Sequence, residues 1–147
     1  MVWAAIWTGG RSQLFVVQGN LTGLAYRQIL DEFVEEYRDR LPEPWILQDD
    51  NAPPHRAQVV QEFKENHRIQ SLPWTAKCPD LNPIEHAWDY VDRRMRSQPQ
   101  PANLERLAHL LQDEWLQIPH AFLDNLIRSM SNRVGAALQS RGGHSRY

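Results

Sequence analysis

Apolar positions come first in short blocks and later at helical spacing. Residues 2–7 and 14–17 are β-prone runs separated by the turn-rich residues 8–13, which predicts an antiparallel hairpin. Gly19 and Asn20 close the second run. Thr22 then stands where it can cap a helix whose apolar positions Tyr26, Ile29, Leu30, Phe33, Val34 and Tyr37 follow the 3.6-residue period. Asp31, Glu32, Glu35, Glu36 and Asp39 read as its solvated side. Pro42 and Pro44 break the helix, and residues 45–48 (Trp-Ile-Leu-Gln) read as a buried strand running into Asp49, Asp50 and Asn51.

Pro53 and Pro54 turn the chain into a second helix, roughly residues 55–66, followed by a strand near residues 69–72 and a loop over residues 73–80. Asn82-Pro83, a cap residue and a proline at the first helical position, marks a third helix start. Ile84, Trp88, Val91 and Met95 form its apolar stripe, with Glu85, Asp89 and Asp92 beside it. After a Pro-Gln linker at residues 97–101, two more amphipathic helices are expected. Leu104, Leu107, Ala108, Leu111 and Trp115 mark one, and Phe122, Leu123, Leu126, Ile127, Met130 and Val134 mark the other. The order β-β-α-β-α-β-α-α-α is mixed α/β. The expected division is a core at residues 1–97 and a helical extension of the same domain at residues 98–147.

At 147 residues with 41% hydrophobic and 23% charged side chains, the chain is long enough for one packed core and is not of disordered composition. A single cysteine, Cys78, excludes an internal disulfide and a Cys-based zinc site. The first apolar run stops at Trp7, too short for a signal segment or a membrane span, so an intracellular protein without membrane partners is expected. Net charge is −2 but uneven, with −6 over residues 1–92 and +4 over residues 93–147. From Arg128 onward Arg128, Arg133, Arg141 and Arg146 meet no acid, a pattern that suits phosphate contacts as well as a solvated helix face.

The candidate chemistry lies at strand ends. Asp50 ends one strand, and Glu85 opens the helix after the next, so the two could approach one edge of a sheet from separate elements. Two carboxylates are hard oxygen ligands for Mg²⁺ or Mn²⁺, ions used in phosphodiester chemistry. Each residue has a plainer reading as well. Glu85 lies three residues after Asn82, where it can serve the helix start, and Asp50 can be a turn residue bonding its own backbone. Asp49 would point to the opposite side of a continuing strand. The histidines, His55 among them, lack ligand spacing and read as surface or capping residues. The tryptophans read as packing residues, with Trp74 in its loop as the exception.

Residues 46–55 (Ile-Leu-Gln-Asp-Asp-Asn-Ala-Pro-Pro-His), residues 72–74 (Leu-Pro-Trp) and residues 78–88 (Cys-Pro-Asp-Leu-Asn-Pro-Ile-Glu-His-Ala-Trp) together resemble the catalytic domain of Tc/mariner-type DNA transposases. In the Tc-type branch of that family the second aspartate and the glutamate of an Asp-Asp-Glu triad are 34 residues apart, the number lying between Asp50 and Glu85 here. The likeness runs from Val2 to the closing residues 141–147. It implies a ribonuclease-H-like mixed sheet flanked by helices, Asp50 and Glu85 as catalytic and metal ligands, Mg²⁺ or Mn²⁺ as cofactor, and strand cleavage and transfer on transposon-end DNA in the nucleus.

Departures from the family pattern shape the expectation. The family's first catalytic aspartate lies on a strand upstream of the segment matching Met1, and no residue here corresponds to it, so a C-terminal piece with weak or absent catalysis is expected. Without that central strand the sheet would be left as two half-sheets, implying marginal stability, direct pairing of the halves, or edge pairing in a homo-oligomer. Asp49 stands where the family commonly has glutamine, and Cys78 where it commonly has serine. The alternative to an enzyme is a nucleic-acid-binding or protein-interaction module derived from a transposase, binding through the basic C-terminal helices.

Overall fold

The hairpin is built from two short ladders. In the computed structural model, which describes residues 1–74 and 81–139, β1 (Val2–Trp3) pairs antiparallel with β4 (Phe15–Val16), and β2 (Ile6–Trp7) pairs with β3 (Gly10–Arg11). The register is Val2 to Val16, Trp3 to Phe15, Ile6 to Arg11 and Trp7 to Gly10. Between the ladders the returning chain carries one residue more than the outgoing one, so a regular ladder cannot run through. Ser12 covers the gap: its backbone N–H donates to the Ala5 carbonyl, and its hydroxyl accepts from the Ala5 N–H, both at 2.9 Å. Gly9 makes the turn in the left-handed region, at φ 88°.

The described residues divide into two compact units, residues 1–3 with 15–74 and residues 4–14 with 81–139. In the first, α1 (Gly23–Tyr37) begins at Thr22, whose Oγ1 accepts the Ala25 N–H at 3.1 Å. The six apolar positions predicted for this helix are all buried. Tyr26 and Phe33 among them meet Trp3, whose ring lies edge-on to Phe15, Tyr26 and Phe33 at centroid distances of 5.5, 6.4 and 5.6 Å. A 3₁₀ turn, Pro53–Arg56, replaces the expected start of the second helix, and α2 follows as Gln58–Asn66. The bonds there close at i to i+3: the His55 N–H donates to the Ala52 carbonyl at 2.9 Å and the Ala57 N–H to the Pro54 carbonyl at 3.3 Å. Gly23 lets α1 and the start of α2 approach, because a Cβ at this position would overlap Ala57.

The strands expected at residues 45–48 and 69–72 contract to one parallel bridge, Leu47 with Ser71. The Leu47 N–H donates to the Gln70 carbonyl, and the Leu72 N–H to the Leu47 carbonyl, each at 2.8 Å. The buried strand read from residues 45–48 is therefore corrected. Ile46 is 54% exposed, because successive side chains of an extended segment point to opposite sides and only one side is covered. Among the described residues, no ladder joins this bridge to the hairpin.

In the second unit, α3 (Pro83–Arg96), α4 (Leu104–Leu116), α5 (His120–Arg128) and α6 (Met130–Gln139) pack with β2 and β3. The single last helix read from the apolar pattern is corrected to two. The chain turns at Ser129, whose hydroxyl donates to the Leu126 carbonyl at 2.7 Å. Trp115 and Ile118 are almost wholly buried, and Trp115 stacks on Trp88 at 4.9 Å. No helix among the described residues is long and apolar enough to cross a membrane.

Candidate functional site

Asp49 and Asp50 are neighbours in sequence but take opposite roles. Each accepts a backbone N–H two residues on: Asn51 donates to Asp49 Oδ1 at 3.3 Å and Ala52 to Asp50 Oδ1 at 3.0 Å. Asn51 completes the turn at φ 59°, a left-handed conformation that asparagine tolerates better than most residues. Its side-chain amide donates to the Trp74 carbonyl at 3.3 Å, tying the turn to the segment after the Leu47–Ser71 bridge.

Asp49 turns inward. Its Oδ2 lies 2.9 Å from Lys64 Nζ and accepts the Tyr26 hydroxyl at 3.3 Å. Lys64 is 5% exposed, and it pairs with an Asp49 side chain that is itself mostly covered. The negative charge that Asp49 adds relative to the family's glutamine is thus matched by a cation from α2. Burial and the two neighbouring carboxylates push the Tyr26 hydroxyl well above its usual pKa, so it stays a neutral donor.

Asp50 turns outward, with its side chain 61% exposed. Oδ1 carries both of its contacts, the Ala52 N–H and the His55 ring nitrogen Nδ1 at 2.8 Å. Among the described residues Oδ2 has no hydrogen bond or ion pair, so this exposed side chain keeps one hard oxygen donor uncommitted. The plainer reading of Asp50 as a turn residue is correct as far as Oδ1 goes, and it leaves Oδ2 available.

His55, read from sequence as a surface or capping residue, is buried. Its ring lies over Tyr26 at 4.1 Å between centroids, and its backbone carbonyl accepts the Gln61 side-chain amide at 3.0 Å. Nδ1 is buried and makes no aligned hydrogen bond, although Asp50 Oδ1 is near. The signal in the sequence was position alone: His55 falls on the turn the two prolines force, facing a helix 29 residues earlier.

Burial pushes the His55 imidazole below its ordinary pKa, against the pull of Asp49 and Asp50. The unfolded chain therefore binds the proton first. As pH falls below about 6.5, the unfolded state gains protons that the folded state refuses, and stability drops until the folded pKa is passed. Denaturant unfolding of this chain and of His55→Phe at about pH 5 to 8 should show a steeper acid-side loss in the parent. Identical slopes would contradict the burial argument.

Glu85 lies in the first turn of α3 and is exposed. The Asn82 side-chain amide donates to its Oε1 at 3.4 Å, while the Asn82 side chain makes no bond to the helix backbone. The cap–proline signal located the helix start, but the capping contact runs between two side chains. Asp50 belongs to the first unit and Glu85 to the second. Among the described residues, no three His, Cys, Asp or Glu side chains are grouped to hold a metal ion.

Of the basic tail residues, Arg128 is exposed, whereas Arg133 is 6% exposed with its Nε donating to the Ser129 hydroxyl at 2.9 Å. Arg133 thus serves the turn between α5 and α6 and does not present its guanidinium to solvent. Arg141, Arg146, Cys78 and the remainder of residues 75–80 and 140–147 lie outside the described residues.

The fold is that of a known catalytic domain. The Mos1 transposase catalytic domain, solved with raltegravir and Mn, matches at a TM-score of 0.80 and 22% identity, over 93% of this chain and 71% of that one. The Mos1 strand transfer complex matches at 0.79 and 21%, over 93% of this chain and 40% of that one. Both are mixed α/β, as expected from the order of elements. By sequence, the Tcb1 transposase of Caenorhabditis briggsae is 29% identical over 148 aligned positions, and the Tc1 transposase of Caenorhabditis elegans 26%. Each alignment covers all of this chain and 54% of the relative, so the chain spans about half the length of these curated relatives. A model of the DDE superfamily endonucleases matches residues 1–108, a range that includes Asp50 and Glu85, and the chain belongs to that family.

Proposed function

We propose that this chain is a Tc/mariner-type transposase catalytic-domain segment in which Asp50 and Glu85 hold one Mg²⁺ or Mn²⁺ for cleavage and transfer of DNA strands. The observation that carries the reading is the Asp50 carboxylate, anchored through Oδ1 and open at Oδ2, within a chain of the DDE superfamily endonucleases. Its donor chemistry fits the ion: exposed carboxylate oxygens are the hard ligands that Mg²⁺ and Mn²⁺ take, and the Mos1 catalytic domain was solved with each of them. Bound there, such a cation supplies Lewis-acid chemistry, lowering the pKa of an attacking water or 3′-hydroxyl and offsetting charge on the scissile phosphate.

The chain's own residues do the rest. Asp50 and Glu85 place negative charge where the cation is needed. Lys64 pairs with Asp49, the other aspartate of the turn, and so keeps it out of the ligand set. Transposon-end DNA in the nucleus is the proposed substrate, and a homo-oligomer the proposed working form.

Two carboxylates grip a cation less firmly than three, so nicking of duplex DNA by residues 1–147 with Mg²⁺ is expected to be weak or absent. Any activity seen should vanish in both Asp50→Ala and Glu85→Ala. Robust nicking that survives both substitutions would overturn the proposed site. Robust nicking abolished by both would uphold the site and overturn the expected weakness.

A further inference from the structure

The contacts around Asp50 leave one buried group whose purpose the turn does not explain. His55 Nδ1 is shut away from water, forms no aligned hydrogen bond, and has Asp50 Oδ1 at 2.8 Å and Asp49 Oδ1 at 4.0 Å. A buried polar nitrogen left without a partner is unfavourable, and the nearer carboxylate, being the exposed one, is the group able to adjust toward it. Asp49 is held already by Lys64, Tyr26 and Asn51. The ring itself is fixed on two sides, by the face of Tyr26 and by the 3₁₀ turn whose His55 N–H donates to the Ala52 carbonyl at 2.9 Å.

We propose that His55 is a positioning residue for Asp50, its Nδ1 holding Oδ1 inward so that Oδ2 is presented to the divalent cation. This inference rests on the reading of Asp50 as a metal ligand. Groups that orient a ligand from behind commonly change metal affinity by about 10- to 100-fold when removed. The chemistry needed is narrow: a donor at the Nδ1 position, on a side chain short enough to keep its place over Tyr26.

Three substitutions separate this role from a packing role. Phenylalanine keeps a ring over Tyr26 and deletes the nitrogen. Asparagine places an amide nitrogen near the Nδ1 position, and glutamine carries its amide farther out. Mn²⁺ binding to the 147-residue chain, read from the free-ion spin-resonance signal, should weaken about tenfold or more in His55→Phe and His55→Gln. His55→Asn should retain most of the affinity. Circular dichroism and thermal midpoints of the same samples establish that each is folded, and the Asn–Gln comparison stands if the Phe variant is not.

Asp50→Ala is the companion measurement. Unchanged Mn²⁺ binding in Asp50→Ala would remove the ligand reading and this inference with it. Weakened binding in Asp50→Ala, with unchanged binding in folded Phe and Gln variants, would overturn the positioning role alone. Equal weakening in folded Asn, Gln and Phe variants would show that the whole imidazole, and not its Nδ1 donor, is required, and would also overturn it.

Discussion

Trp115→Ala should destabilise the second unit by about 3–5 kcal/mol through the cavity alone, with a further cost from a stranded carbonyl. The indole is wholly buried, stacks on Trp88, and donates from Nε1 to the Ser12 carbonyl at 2.8 Å. Ser12 is the residue that spans the interrupted hairpin. Loss of the indole therefore removes packing on α4 and a hydrogen bond that steadies the returning strand. The Trp115 carbonyl meanwhile accepts Arg11 Nη1 at 2.6 Å, which binds the same two segments by a contact the substitution leaves in place. Trp115→Phe keeps much of the packing and deletes only the donor, and should cost about 1–3 kcal/mol. Urea midpoints with unchanged slopes measure both. A loss below about 1 kcal/mol in Trp115→Ala would show that the buried indole is not structural.

Lys64→Met should be comparably severe for a different reason. It removes the ammonium at 2.9 Å from Asp49 Oδ2 and leaves a nearly buried carboxylate that, among the described residues, accepts hydrogen bonds from the Tyr26 hydroxyl and the Asn51 N–H alone. Removing one partner of a buried pair typically costs about 3–5 kcal/mol, because the remaining charge stays desolvated. Replacing both partners is milder, so Asp49→Asn in the Lys64→Met background should restore much of the loss. Additive losses in the double variant would mean that the two side chains do not sense each other. Because Asp49 adjoins Asp50 in one turn, Lys64→Met should also disturb the arrangement that presents Asp50.

The helix α1 was legible in the sequence because its information is local. Six apolar residues at helical spacing and a threonine cap specify one buried side, and all six are buried with the cap bond in place. The start of α3 at Asn82-Pro83 was legible for the same reason. Asp50 and Glu85 stood out through their motif context, and in the structure Asp50 is exposed with its Oδ1 bonded within the turn.

What the sequence did not disclose depends on distant partners. His55 is buried because α1 supplies the Tyr26 face, and no local pattern around Pro53-Pro54-His55 encodes that. Lys64 pairs with an aspartate 15 residues earlier, although an isolated lysine in a helix reads as solvent-facing. The break between α5 and α6 escaped the apolar pattern since neither proline nor glycine marks Ser129. The strand at residues 45–48 was overextended because an unbroken apolar run does not say how many of its sides are covered.

The central claim, that Asp50 and Glu85 grip one divalent cation, is tested most directly by replacing Mg²⁺ with Fe²⁺ and generating hydroxyl radicals at the bound ion. The account predicts backbone cuts near both residue 50 and residue 85, with Asp50→Ala and Glu85→Ala each abolishing both sets. Cuts confined to one of the two segments, or single variants that each erase only their own cut, would contradict it.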